Sequence, residues 1–190
     1  MRWEMNPSAP QERIALLISD LQQIGYVQMP HDIMYLQHMP QSPVTEVAEV
    51  RIIPARASFR HAHQLAEEIA EEYGEPQLVE SNMIHLDDPH WDALVAIRDG
   101  KAVGKVGVLA VGEIGRIQHV YVSREWRGQG IGRTLMSRAL EICARSLFKH
   151  VFLSCRPTNA PAIALYSGLG FHKIGEMVSY AAPVKSDGSS

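Results

Sequence analysis

Hydrophobic residues are spaced along this chain in two alternating rhythms, and the rhythm changes at glycines and prolines. Ile14, Leu17, Ile18 and Leu21 recur at the spacing of one helix face, and the pattern stops near Gly25. From Tyr26 to Met39 a weak alternation, broken by Pro30 with Pro40 and Pro43 beyond it, suggests one or two short strands. Val47, Val50, Ile52 and Ile53 predict a strand over 46–53. Ser58 then caps a helix with the face Phe59, Ala62, Leu65, Ile69 and Tyr73, closed by Gly74; Glu67, Glu68, Glu71 and Glu72 fall on its solvated side. Residues 75–90 have little periodicity. Two strands follow, 92–98 and 102–111, joined by Asp99-Gly100-Lys101, and a third runs from Gly115 to Val122.

The strongest periodic segment starts at Ile131. Ile131, Leu135, Ala139 and Ile142 form one row, and Met136, Leu140, Cys143 and Leu147 a second beside it, while Arg133, Ser137, Glu141 and Arg145 face away. This is a helix lying on a sheet. A strand at 150–155 and a helix after Asn159, a good capping residue with Pro161 in the first turn, lead to a last strand from Phe171.

The strand before the long helix enters it through Arg127-Gly128-Gln129-Gly130-Ile131-Gly132-Arg133. Glycines let oxygen atoms approach the main chain, and the first amides of a helix lack internal partners and carry partial positive charge. A polyphosphate fits such a turn. A P-loop would need Gly-Lys-Ser/Thr and a dinucleotide fingerprint a third glycine where Arg133 stands, so both are excluded.

The run Arg127-x-x-Gly130-x-Gly132 resembles the pyrophosphate loop of the GNAT superfamily of acyl-CoA-dependent N-acyltransferases. Asn159-x-x-Ala162-x-x-Leu165-Tyr166-x-x-x-Gly170-Phe171 is similar to the second signature of that family, in the right order. The resemblance implies an α/β fold with a mixed, mostly antiparallel central sheet flanked by helices, and a V-shaped splay between its two middle strands. It implies acetyl-CoA as co-substrate, without a metal. The backbones of Val120 and Val122 would meet the pantetheine arm. The amides around Gly128, Gln129, Gly130, Gly132 and Arg133 would hold the pyrophosphate, and Arg124, Arg127 or Arg133 the 3′-phosphate. Asn159 would be a further cofactor contact and Tyr166 the general acid. For the base, two residues stand near that strand: Glu113 at its start and His119 upon it. Strict alternation puts Ile117, His119 and Tyr121 on one face and Gln118, Val120 and Val122 on the other.

The acceptor would be a primary amine, on a small molecule or a protein, attacking directly in a ternary complex; a non-catalytic CoA-binding module on the same fold is the alternative. By length, 190 residues with 46% hydrophobic and 21% charged suit one sizeable domain with an extension. Residues 46–182 form that domain and 183–190 a flexible tail. Residues 1–45 are an N-terminal extension, with the loose likeness of 11–40 to 161–180 suggesting a degenerate half repeat. A net charge of -3 gives no reason to expect nucleic acid or an anionic membrane, and a homodimer is compatible with the composition. Two cysteines without CxxC spacing, with neither signal peptide nor membrane span, fit a reduced cytoplasmic setting. Asp87-Asp88-Pro89-His90 lacks a second ligand pair, and His61 and His63 read as solvated.

Overall fold

The computed structural model describes residues 2–4, 11–28, 32–38 and 47–181, so the tail at 183–190 lies outside it. Its elements are β1 (Arg2–Glu4), α1 (Gln11–Gln23), β2 (Val27–Gln28), β3 (Asp32–His38), β4 (Arg51–Pro54), α2 (Phe59–Tyr73), α3 (Leu78–Met83) and β5 (Trp91–Arg98). They continue as β6 (Lys101–Val111), β7 (Ile114–Val122), α4 (Ile131–Arg145), β8 (His150–Cys155), α5 (Ala160–Ser167), β9 (His172–Met177) and β10 (Ser179–Ala181). The main sheet has the order β4-β5-β6-β7-β8-β3-β9, and a short second sheet the order β1-β10-β2. Every pairing is antiparallel except that of β7 with β8.

Both faces of the main sheet are covered. The predicted rows of α4 bury Ile131, Leu135, Met136, Ala139, Leu140 and Cys143 against β-strand residues including Val103, Val108, Ile117 and Val151. On the other face α2 buries Ala62, Leu65 and Ile69 against Val95, Ile97 and Tyr121. Hairpin β5-β6 turns through Asp99 and Gly100, both with positive φ (49° and 75°), the two-residue turn its sequence favours.

Several expectations are corrected. The strand predicted from 46 begins at Arg51, because Glu49 takes a left-handed φ of 66° that breaks the extended run. Leu147 is exposed: α4 ends at Arg145 and Leu147 takes φ 57°, leaving the helical row. Ser137, expected outside, is buried, while Phe59 and Tyr73 project from the ends of α2 into solvent. Beyond these corrections, residues 32–38 form β3 and lie between β8 and β9 in the main sheet. Among the described residues no helix is long and apolar enough to cross a membrane.

Candidate active site

The site begins where a ladder stops. β7 pairs with β8 only at Ile114↔His150, Gly115↔Val151 and Arg116↔Phe152, yet β7 runs on to Val122 and β8 to Cys155. Their separation opens a groove of about 700 Å³. Val120 and Val122 form one wall, Leu165 and Tyr166 the other, and Gly128, Gly130 and Gly132 lie along the mouth.

The mouth is built by local chemistry. Gly128 and Gly130 take φ of 76° and 83°, conformations that cost other residues strain. At Gly128 a Cβ would meet nothing within 4 Å, so the backbone there faces open space. The helical ladder of α4 begins with the Thr134 amide donating to the Gly130 carbonyl at 3.0 Å, which leaves the amides before it directed outward. No acidic side chain occupies the first turn. Such a helix end suits an anion, and a diphosphate matches both its charge and its glycine clearance.

Of the residues singled out from sequence, Val120, Val122, Arg127, Gly128, Gly130, Gly132, Arg133, Asn159 and Tyr166 all line this groove. Asn159 caps α5, its Oδ1 accepting from the Ala162 amide at 3.2 Å. The Arg133 guanidinium donates to the Gly168 carbonyl at 3.3 Å, bridging α4 to the end of α5. Tyr166 is only 5% exposed, and burial pushes its hydroxyl well above the usual phenol range, so it stays protonated at neutral pH. Gln129 turns its side chain away from the groove, accepting from Arg98 at 3.0 Å and donating to the Glu125 carbonyl at 3.2 Å.

Arg127, besides lining the groove, is tied to the protein itself. Its Nε donates to the Val122 carbonyl at 2.8 Å, and its terminal nitrogen spans both oxygens of Glu72 at 2.9 Å. Arg124 reaches the same carboxylate at 3.1 Å, and the Tyr121 hydroxyl donates to Glu72 at 2.7 Å and to Glu68 at 3.0 Å. Burial alone would raise the Glu72 carboxyl, but the hydrogen bonds from Tyr121, Arg127 and Arg124 outweigh it and hold it at about 2. Glu72 and Glu68 of α2 therefore clamp the end of β7 and the loop that follows it, while Glu67 and Glu71 stay exposed. That corrects the reading of Glu68 and Glu72 as mere solvation.

The two candidate bases part company. Neither lines the groove: Glu113 stands at the far end of β7, exposed and ion-paired with Lys149 at 2.7 Å. His119 sits at an irregularity where the β6–β7 register shifts between Lys105 and Gly107, with φ 54°. This bulge breaks the alternation expected from sequence. Ile117 packs with the α4 core and so do Val120 and Val122, whereas Tyr121 packs with α2 and His119 enters a small cavity with Asn82, Trp91 and Lys105. The imidazole Nδ1 lies 2.9 Å from Asn82 Oδ1, and Lys105 Nζ donates to the same oxygen. Because Asn82 Nδ2 donates to the Leu78 carbonyl, Oδ1 can only accept, so Nδ1 carries the proton and Nε2 the lone pair. Burial first, then the charges of Lys105, His85 and Arg116, lower His119 to about 4. Burial likewise lowers Lys105 to about 8. Lys105 was missed from sequence, although a lysine inside the apolar run A-V-G-K-V-G-V is a visible interruption. Among the described residues no cluster of metal-ligating side chains occurs.

A sheet splayed beside a glycine-lined helix end defines a mixed α/β protein with an open strand edge next to an anion-suited helix start. The chain belongs to the acetyltransferase (GNAT) family, whose model matches residues 37–171. Members use acetyl-CoA as co-substrate. Among relatives, N-acetyltransferase 8B of Rattus norvegicus is 36% identical over 98 residues, 48% of this chain and 44% of that protein. The N-alpha-acetyltransferase RimI of Mycobacterium tuberculosis is 30% identical over 94 residues, 47% of this chain and 58% of the other. The matched stretch thus spans about half the length of such curated relatives. A solved tandem GNAT protein from the clavulanic acid biosynthesis pathway superposes with a TM-score of 0.65 at 19% identity, over 98% of this chain and 65% of that one.

Proposed function

We propose that this chain is an acetyl-CoA-dependent N-acetyltransferase, moving the acetyl group to a primary amine by direct attack in a ternary complex. The observation that carries the proposal is the joining of the outward amides at the start of α4 to the unpaired stretch of β7 in one continuous groove. Acetyl-CoA supplies the thioester. The loop from Gly128 to Arg133 grips its diphosphate, with Arg133 and Asn159 beside it. Val120 offers main-chain groups to the pantetheine arm; the carbonyl of Val122 is already engaged by Arg127, so Val122 contributes its side chain as wall.

Amine attack on a thioester needs a lone pair on nitrogen and a proton for the departing thiolate. Tyr166, kept protonated by burial and lining the groove, donates that proton. His119 is the preferred base: its Nε2 is a lone-pair site held by Asn82, whereas Glu113 is committed to Lys149 at the other end of the strand. The N-acetyltransferase names of the relatives favour a catalytic role over a non-catalytic CoA-binding module. Calorimetric titration with coenzyme A should give one site per chain, and a thiol-release assay with acetyl-CoA should respond to a panel of primary amines. Binding without thiol release for any amine would favour the module, and no binding at all would reject both readings.

A further inference from the structure

The element order at the start of the chain, β1-α1-β2-β3, repeats at its end as β8-α5-β9-β10. The likeness extends to individual hydrogen bonds at one constant offset. Gly25 donates to the Gln22 carbonyl at 3.1 Å, as Gly170 does to that of Ser167 at 3.1 Å. Tyr26 donates to the Leu21 carbonyl at 2.8 Å, as Phe171 does to that of Tyr166 at 3.1 Å. Gly25 and Gly170 share φ 87°, and Leu21 and Tyr166 are both buried. A helix-end turn alone is a common motif. The sheet registers are not.

In the short sheet Val27 pairs with Ala181 and Gln28 with Tyr180; at the same offset these become His172 with Leu36 and Lys173 with Tyr35, which are the pairs observed between β9 and β3. Arg2↔Ala181, Trp3↔Tyr180 and Glu4↔Ser179 are matched by Phe152↔Leu36, Leu153↔Tyr35 and Ser154↔Met34: β10 and β3 keep the offset, while β8 lies further along the chain than that offset from β1, so the strand-to-helix connections differ in length. Each sheet thus holds the first and third elements of one arm with the last strand of the other between them, antiparallel to both.

We infer that residues 2–38 are a second copy of the arm that closes the family's catalytic unit, and that the two copies are locked together by reciprocal exchange of their last strands. β3 then has a task at the groove. It ties β8 to β9, the two strands on either side of α5, whose Asn159 cap and Tyr166 line the site. The first arm is a positioning element for the acyl-transfer site, and neither sheet can open without freeing a strand of the other.

Hydrogen exchange on the intact chain tests this. A ligand that binds only the folded state slows every amide that exchanges through global opening by one common factor, about 100-fold at a concentration one hundred times Kd. With coenzyme A bound, peptides covering β2 and β10 should slow by the same factor as those covering β8 and β9. Slowing confined to β8 and β9, with β2 and β10 unchanged, would mean that the short sheet opens by itself and would overturn the inference. If coenzyme A slows nothing anywhere, the acetyl-CoA reading fails instead, and Leu140→Ala decides the exchange. That core residue of α4 belongs to neither arm, so its loss should speed both sheets equally. Unequal acceleration would overturn the interlock.

Discussion

In the closing arm the last turn of α5 presents Tyr166 to the groove and buries Leu169, 7% exposed, in the core that contains α4. At the matching places of the first arm stand Leu21, 6% exposed, and Ile24, 68% exposed. The backbone and its hydrogen bonds are shared, so the turn tolerates a phenol or an aliphatic side chain equally. What differs is the neighbour: one arm lies against a long helix and a glycine loop, and among the described residues the other has no such cover. Geometry is repeated here, and the groove belongs to one copy.

The comparison can be broken first at its most unequal pair. Leu169→Ala should cost about 3 kcal/mol in chemical denaturation, as cavity-forming substitutions do, whereas Ile24→Ala should stay within about 0.5 kcal/mol; equal losses would mean that the first arm is covered in solution. Acid comes next, because His119 and Glu72 both lie in the groove-bearing unit. His119 is held at about 4, below the ordinary 6.5, so the folded state binds fewer protons than the unfolded one between those values. Stability should therefore be complete above pH 6.5 and fall by up to about 3 kcal/mol as pH drops through 4. Glu72, held at about 2 against 4.5, acts in the same direction at lower pH. Melting temperatures followed from pH 8 to 4 check the sign, and His119→Gln should flatten the upper part of the curve.

Turnover separates the arms next. Tyr166→Phe should lower kcat about 100-fold while leaving the KM for acetyl-CoA nearly unchanged, and Leu21→Ala should leave kcat within about twofold. An unaffected Tyr166→Phe enzyme would reduce that residue to a packing role. The smallest effect sharpens the likeness: Gly25→Ala and Gly170→Ala place a Cβ on the same left-handed backbone, so each should cost about 1 kcal/mol.

Features governed by near neighbours in the sequence were legible. The glycines from 128 to 132 dictate their own turn, the apolar rows of α4 dictate its buried face, and Asn159 caps the helix it precedes. Features that depend on distant partners were not. Glu72 looks like any surface carboxylate until Tyr121, Arg124 and Arg127 arrive from some fifty positions away. A strict two-residue period put Ile117 and His119 on one face, whereas a bulge invisible in composition sends them to opposite faces. Strand order is more remote still: nothing in residues 32–38 announces that their neighbours are β8 and β9.

That order has a consequence for how the chain comes into being. β3 leaves the ribosome early, but both strands that flank it are made more than a hundred residues later, a wait of roughly 6–20 s at ordinary translation speeds. Through that interval its two edges have no native companion, which makes the nascent chain a natural client for holding factors and sensitive to the pace of synthesis downstream.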